Sequence, residues 1–401
     1  MPADPLDPAV AIARLCERVE QVEAEPISAA QPDKLGGRVL AEVLVLDRDS
    51  PACDVSAMDG FAVRLSELQA GSVPVVGECR IGEPPVELAS GTARRIYTGS
   101  PVAAGADAVV RLEWVDESAD RIELNRRGEP AIGGDIRRRG ENAKAGDTVL
   151  SPGIELTTAA ISAVATVGPS AVSLRRRLRV GVITTGNELD VEPHASPKPW
   201  RLRDSNGPVL EALLSPITWI EHVERLHVGD SLDNLATTIE ASLSSCDALL
   251  LTGGVSKGAY DHVPDAVRRA GGEVVFHRLK ARPGQPTLGA VAYGKPILGL
   301  PGNPLAVLCA GRRVALPALR RRAGFGVFDP PAPQVQVETW QGKTIPLTWW
   351  RPVSFKSSRT ARIASLRGSG DVCGPAETDG FVEVPPDENG TGPFPYYAWN
   401  A

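Results

Sequence analysis

Residues 247 to 263 read DALLLTGGVSKGAYDHV, and this stretch decides the class of fold. Ala248, Leu249, Leu250 and Leu251 form an unbroken apolar run, as in strands covered on both faces, and the run stops at Thr252 and two glycines. Gly253 and Gly254 permit positive φ and let backbone N–H groups approach an anion, with Ser256 and Lys257 placed to add contacts and Asp261 supplying an acid. Outward from this loop the same grammar repeats. Upstream lie RVGVITTG, NGPVLEALL, ITWIEHVERL and SLDNLATTIEASL; downstream lie DHVPDAVRRA, EVVFHRL, PILGLPG and PLAVLCAGRRVALPALRRR. Strand and helix patterns alternate from about residue 178 to 324. That predicts a largely parallel sheet with helices on both faces and a ligand site where strand C-terminal ends open into loops.

The flanking segments read differently. Asp7-Pro8 is an N-cap followed by proline at the first helical position, and Ile12, Leu15, Val19 and Val22 share one helical face, so a docked N-terminal helix is expected. From residue 39 to about 149, short apolar runs (VLAEVLVL, VPVV, ARRIYTG, DAVVRLEWV, RIEL) broken by Gly and Pro have the pattern of strands. GIELTTAAISAVATVG, from residue 153, gives a leading strand and a short helix capped by Thr157 or Thr158. FDPPAPQ at 328 to 334 is a linker, and VQVETW, PLTWWRPVSF and DGFVEV beyond it describe a small β unit.

Composition removes several classes of function. At 401 residues the chain exceeds what one core serves, and 42% hydrophobic with 23% charged residues is ordinary globular usage. A formal charge of -6 sets aside nucleic acid and anionic membranes as partners, since both need a basic face; Arg137 to Arg139, Arg175 to Arg177 and Arg320 to Arg322 read as solvated patches. Six cysteines (Cys16, Cys53, Cys79, Cys246, Cys309, Cys373) without a C-x-x-C pair read as reduced thiols. MPADPLDPAVAIARL lacks the basic and apolar regions of a leader, and no apolar run reaches the roughly 20 residues of a spanning helix. A cytoplasmic location is expected. His194, His222, His227, His262 and His277 have no metal-ligand spacing, and neither a G-x-S-x-G elbow nor a P-loop occurs.

Four loops follow strands of the alternating stretch. Thr184, Thr185, Gly186, Asn187 and Glu188 expose a carboxylate beside backbone N–H groups. The glycine loop runs from Thr252 to Asp261. Pro301, Gly302, Asn303 and Pro304 start a helix whose free N–H groups and dipole favour phosphate. Lys280 to Pro286, including Arg282 and Gln285, presents cations from a rigid turn. Each alone is first a turn or cap, as Asp204, Ser205 and Asn206 are before PVLEALL. Four at one sheet edge argue for a phosphorylated or nucleotide-like ligand. The acids Glu188, Asp230 and Asp261 would repel it unless a divalent cation stood between, so Mg2+ is inferred. In the β-rich region, SAMDGFAV holds Asp59 in a tight turn and YTGSP is a hydroxyl-rich turn with Thr98 and Ser100.

In this order, SAMDGFAV, RRIYTGSPVAAGADAVV, DIRRRGEN, VGVITTGNEL, DSNGPVL, LLLTGGVSKGAYDHV and GLPGNPLAV resemble the motif series of the MoeA family, which includes the gephyrin E domain. The resemblance implies an α/β plus β chain: an elongated, multidomain homodimer with a molybdopterin-adenylyltransferase-like α/β domain, a β-rich inserted domain and a small C-terminal β domain. Expected boundaries are 1–50 with 139–177 (linker and dimerisation, its N-terminal helix packing on the α/β unit), 51–138, 178–326 and 327–401. The implied reaction is magnesium-dependent: molybdate enters adenylylated molybdopterin and AMP leaves. Molybdopterin adenylyltransferase is the implied upstream partner.

The resemblance assigns Asp59, Thr98, Asp135, Glu188, Asp230 and Asp261 to catalysis, the last three also to the metal. Ser100, Thr185, Gly186, Asp204, Ser205, Asn206, Gly253, Gly254, Ser256, Gly258, Arg282, Pro301, Gly302 and Asn303 go to substrate. It implies further that Asp59 and Thr98 act from the partner subunit. The chain departs from the family pattern at Arg282 and Gln285, both usually lysine, at Asn187 and Tyr260, and in its closing GPFPYYAWNA. A competing reading is therefore a non-catalytic or diverged molybdopterin-binding scaffold. A nucleotide-pyrophosphate hydrolase is a third, which would not need SAMDG and YTGSP.

Overall fold

Ala248–Thr252 is buried at every position and lies inside a six-stranded sheet. The strand order is Ile220–Val228, Leu178–Thr185, Ala248–Thr252, Lys295–Leu300, Leu288–Ala292 and Glu273–His277. The first four pair in parallel, and the last two join antiparallel. The largely parallel expectation therefore holds for four strands, with an added strand, Leu288–Ala292, that the apolar pattern did not announce. Its Gly289 explains the weak signal. A Cβ there would sit 2.2 Å from Phe276 Cε1, so packing demands a glycine that dilutes the strand pattern.

The computed structural model describes residues 4–192, 194, 196–256, 258, 261–338, 343–368, 370–371 and 373–400. The chain divides into two units. One comprises Met1–Glu42, Ser151–Ala165 and Pro169–Ala401; the other comprises Val43–Leu150 and Thr166–Gly168.

In the first unit, side chains alternate across the sheet as the period of two requires. Val180, Val182, Leu250, Leu298 and Leu300 join a core with Leu210 and Leu213 of helix Asn206–Leu214, Val307 of helix Pro304–Ala310, and Ile12 and Leu15 of helix Pro8–Cys16. Ile183, Leu249, Leu251 and Ile297 join Leu235 and Ile239 of helix Leu232–Ser245 and Val267 of helix Val263–Arg269. Each such aliphatic side chain contributes about 1.5–3 kcal/mol. Caps fall where the sequence puts them: Asp7 accepts from Ala9 N–H at 2.9 Å, and Thr157 Oγ1 accepts from Ala160 N–H at 3.3 Å ahead of helix Thr158–Val167.

The N-terminal helix is shorter than its apolar period suggests. It ends at Cys16, while Val19 and Val22 stay buried without being helical. Tertiary partners take over the backbone there: Glu20 N–H donates to the Gly294 carbonyl and Val22 N–H to that of Arg322, both at 2.9 Å. The long helical pattern after Asn303 is also interrupted. Pro304–Ala310 and Leu316–Ala323 are joined by a π-turn, Gly311–Ala315. The π-turn carries Arg313, which is 5% exposed and reaches Glu383 at 3.0 Å and Asp329 at 3.1 Å, while Trp350 Nε1–H donates to the same Glu383 at 2.9 Å. This network anchors the C-terminal sheet, built from Gln334–Val337, Thr348–Phe355, Thr360–Ile363, Gly380–Val384 and Phe394–Ala398. Ala281–Arg282 joins that sheet beside Thr348 and Trp349.

The second unit centres on a six-stranded sheet of order Ala108–Arg111, Gly60–Val63, Ala93–Ile96, Val73–Cys79, Arg121–Leu124 and Val115–Ser118. Phe61, Val63, Val73, Val110 and Ile122 fill its core with Leu65 and Leu68 from a short helix, Leu65–Gln69, absent from the strand reading. Among the described residues all six cysteines are free, burial pushing Cys16 up to about 12, and no helix is long and apolar enough to cross a membrane.

One buried charge cluster secures the first unit. Asp247, 3% exposed, takes two 2.6 Å bonds from the Arg176 guanidinium and one of 2.9 Å from Arg179 N–H, with Arg322 at 3.6 Å. Burial opposes its charge, but Arg176 prevails and holds the carboxyl below its usual range. Asp247→Ala would leave Arg176 and Arg322 without their shared acid. We expect it to cost about 3–5 kcal/mol in urea unfolding, with Asp247→Asn costing less.

Candidate functional site

Parallel pairing brings the ends of these strands level. Thr185 is in register with Val228, Thr184 with Thr252, and Thr252 with Leu300. Two antiparallel steps, Gly299 with Leu288 and Leu288 with His277, return the last strand to the same direction. The loops after residues 185, 228, 252, 277 and 300 therefore open at one edge. All four anion-competent loops expected there are present, and the loop bearing Asp230 is a fifth.

Close backbone contacts dictate the glycines of this edge. Gly253 and Gly254 have φ of +86° and +61°, and a Cβ on Gly253 would lie 2.8 Å from Thr185 Oγ1. Thr185, itself buried, donates that hydroxyl to the Thr252 carbonyl at 3.1 Å, locking adjacent strand ends. Gly186 stands at φ +128°, where a side chain would be strained, and the Glu188 carboxylate folds over it. Two helix starts complete the edge. Asp204 Oδ1 accepts from Asn206 and Gly207 N–H at 3.0 Å each, past Ser205, and Asn303 Oδ1 accepts from Ala306 N–H at 3.2 Å. Asn206 Nδ2 donates to the Gly302 carbonyl at 3.0 Å, tying the helix starts together beside Pro301. Because Asn303 is neutral, the positive end of its helix keeps its pull on an anion, whereas Asp204 already answers the other helix.

The expected metal acids are not gathered round one point. Asp230 Oδ2 accepts from Asn187 N–H at 3.1 Å, while Asn187 Oδ1 accepts from Asp230 N–H at 3.2 Å. Asp261 accepts from Gly258 N–H, and Glu188 lies over Gly186. Among the described residues no three His, Cys, Asp or Glu side chains are placed to hold a metal ion together. Glu188, Asp230 and Asp261 stand in three loops of the same edge. Ser256 is exposed, whereas Lys257, Ala259 and Tyr260 lie outside the described residues.

Arg282 is exposed beside a cavity of about 640 Å³ lined by Gln285, Pro301, Asn303, Trp349 and Arg351. The C-terminal wall of this cavity was not foreseen: TWWR reads as an ordinary strand, and only the pairing of Ala281–Arg282 with Thr348 and Trp349 brings it here. Arg351 lies over the Trp349 ring, 4.1 Å from its centroid.

The second unit collects its own group. Asp59 Oδ1 accepts from Thr98 N–H at 2.8 Å and from the Thr98 hydroxyl at 3.0 Å. These bonds, the backbone one foremost, hold the carboxyl below its usual range. Gly60 is obligatory, since a Cβ would fall 2.0 Å from the Val110 carbonyl oxygen. Asp135, at φ +52°, is paired bidentately with Arg111 at 2.8 and 2.9 Å, so its carboxylate is committed to a partner the sequence did not reveal. Ser100 is fully buried, its hydroxyl without a partner among the described residues. That places it inside the turn rather than on an open oxyanion-facing surface.

Two family models match the chain: the MoeA N-terminal region (domain I and II) over residues 6–168, and a probable molybdopterin binding domain over residues 181–321. Molybdopterin molybdenumtransferase 2 of Mycobacterium tuberculosis is 34% identical over 321 residues, covering 77% of this chain and 76% of that protein. Molybdopterin molybdenumtransferase of Synechococcus elongatus is 35% identical over 291 residues, covering 68% and 69%. Among solved structures, the molybdopterin biosynthesis MoeA protein of Pyrococcus horikoshii superposes with a TM-score of 0.78 at 26% identity, covering 99% of this chain and 100% of that one.

Thr98→Val removes one of the two donors on Asp59 and keeps the other. The Asp59 pKa should then rise part of the way to its ordinary 3.8, as read by NMR titration of the carboxyl carbon. A depressed carboxyl stabilises the fold above its ordinary pKa and ceases to do so as pH falls through the lowered one. The stability gap between parent and variant should therefore be full above about pH 5 and close on acidification.

Proposed function

The chain belongs to the MoeA family of molybdenum-cofactor biosynthesis, and we propose that it is a molybdopterin molybdenumtransferase, one that takes adenylylated molybdopterin and molybdate, releases AMP and leaves molybdenum on the dithiolene. The observation that carries this reading is the convergence of anion-competent loops on one sheet edge. Gly253 N–H donates to the Leu300 carbonyl at 3.1 Å, which leaves the Gly254 N–H beside it to meet a phosphate, and the helix start at Asn303 adds its dipole. Asn206 and Thr185 fix these loops against one another, so that the ligand meets a preset geometry.

The donor set suits Mg2+. Carboxylate oxygens are its natural ligands, and it is usually held by one or two of them with waters and substrate phosphates rather than in an all-protein cage. That agrees with acids that share an edge without forming a cluster. One or two of Glu188, Asp230 and Asp261 would hold the ion, which when bound would offset phosphate charge. Arg282 adds a fixed cation at the neighbouring cavity. Asp59, with its Thr98 donors, supplies an ionised carboxylate that the reading also requires. A homodimer and delivery from molybdopterin adenylyltransferase go with this proposal.

The test combines purified protein, adenylylated molybdopterin, molybdate and Mg2+, following AMP release and reconstitution of a cofactor-free molybdoenzyme. We expect both, dependence on Mg2+, and a fall in kcat of about 100-fold in Glu188→Gln and in Asp261→Asn with unchanged melting temperatures. Tight pterin binding without AMP release would replace the transferase by a non-catalytic scaffold.

A further inference from the structure

One excursion from the same edge has no part in the loops described so far. Leu189–Asp190 and Leu202–Arg203 run side by side in parallel, with residues 191 to 201 between them. Leu202 N–H donates to the Glu188 carbonyl at 2.8 Å, and Asp204 N–H to the Asp190 carbonyl at 3.2 Å. Both ends are thus tied to residues of the candidate site. The excursion carries three large apolar side chains in the open: Trp200 is 72% exposed, Leu202 60% and Val191 46%. An indole has more apolar surface than almost any side chain, so this concentration asks for something to cover it.

The returning arm reads Pro197-Lys198-Pro199-Trp200-Arg201-Leu202-Arg203. Two prolines restrict its backbone, and Arg201 bonds back to the Leu189 carbonyl, so the indole is presented on a stiffened arm. Lys198 Nζ lies over one face of the Trp200 ring, 5.5 Å from its centroid, and Trp200 is still 72% exposed, so a ligand would stack on the opposite face. Cations interleaved with an exposed aromatic ring match a flat ligand that also bears phosphate. Trp200 lies two residues from Leu202, hence within about 8 Å of it along the chain. Its ring is therefore within a nucleotide's span of Glu188.

We propose that Trp200 is a stacking platform for a flat nitrogen heterocycle of the substrate, with Lys198 on its other face as a cation for phosphate. This rests on the transferase reading and names the side chain that grips one ring of that substrate. Adenine and pterin share the required chemistry.

The test compares parent, Trp200→Ala and Trp200→Phe with adenylylated molybdopterin, using AMP and 6-hydroxymethylpterin as competing ligands. Trp200→Ala should raise KM about ten-fold with kcat nearly unchanged, and Trp200→Phe should recover most of the loss. Both variants should melt like the parent, since the ring is exposed. The competitor that loses affinity in Trp200→Ala identifies the stacked ring. An active parent with the same KM in Trp200→Ala overturns the platform. So does a KM that Phe fails to rescue, or one that rises with a changed sedimentation coefficient, which would make the indole a contact between copies. A parent that releases no AMP defeats the transferase reading instead; calorimetric binding of AMP and of the pterin to parent and Trp200→Ala then decides the platform by itself.

Discussion

When Leu178–Thr185, Ala248–Thr252 and Lys295–Leu300 pair in parallel, the loops that follow them can emerge only on one edge. Much of the first unit can be traced to that constraint. Parallel strands need a covering on both faces, so the apolar runs are continuous and the intervening segments must be amphipathic helices. The helices start at the loop edge, so their caps, Asp204 and Asn303, stand among the candidate ligand contacts. The glycines follow as well, because strand ends brought level leave no room for a Cβ at Gly253. Site and core are consequences of one pairing pattern.

Much of this was legible in the chain. Unbroken apolar runs gave the buried strands, and Asp7, Thr157 and Asn303 announced helix starts that the structure contains. What stayed hidden depends on contacts distant in sequence. Leu288–Ala292 was missed because Gly289 answers to Phe276 rather than to strand propensity. The helix after Pro8 stops at Cys16 because the carbonyls of Gly294 and Arg322 compete for its backbone, and neither can be foreseen from local period. The wall formed by Trp349 and Arg351 comes into view only through a two-residue pairing across more than sixty positions of chain.

The acids teach the same lesson more sharply. Asp59, Asp135, Asp204, Asp230 and Asp247 are one residue type with five occupations: holding a threonine, gripping an arginine, starting a helix, bonding a neighbouring loop and neutralising the guanidinium groups of Arg176 and Arg322. The motif series that the chain resembles singled out four of them and left Asp247 unmarked, although it is the most deeply buried of the five. Spacing identifies where an acid recurs; only its surroundings decide whether its charge is spent on the fold or left for a ligand.

The π-turn Gly311–Ala315 divides the helix after Asn303 into two registers. Each residue of a regular helix turns the face by about 100°, so a single added residue re-aims everything beyond it without disturbing what lies before. The half that begins at the loop edge is phased to the sheet, the turn itself aims Arg313 at Glu383 and Asp329, and the half beyond packs Leu316 and Leu319 into the core. The joint works as a vernier: the C-terminal β module can drift in sequence, or be remounted at a new angle, by adjusting one residue there. That gives the closing strands a route to change that bypasses the loop edge at the other end of the same helix.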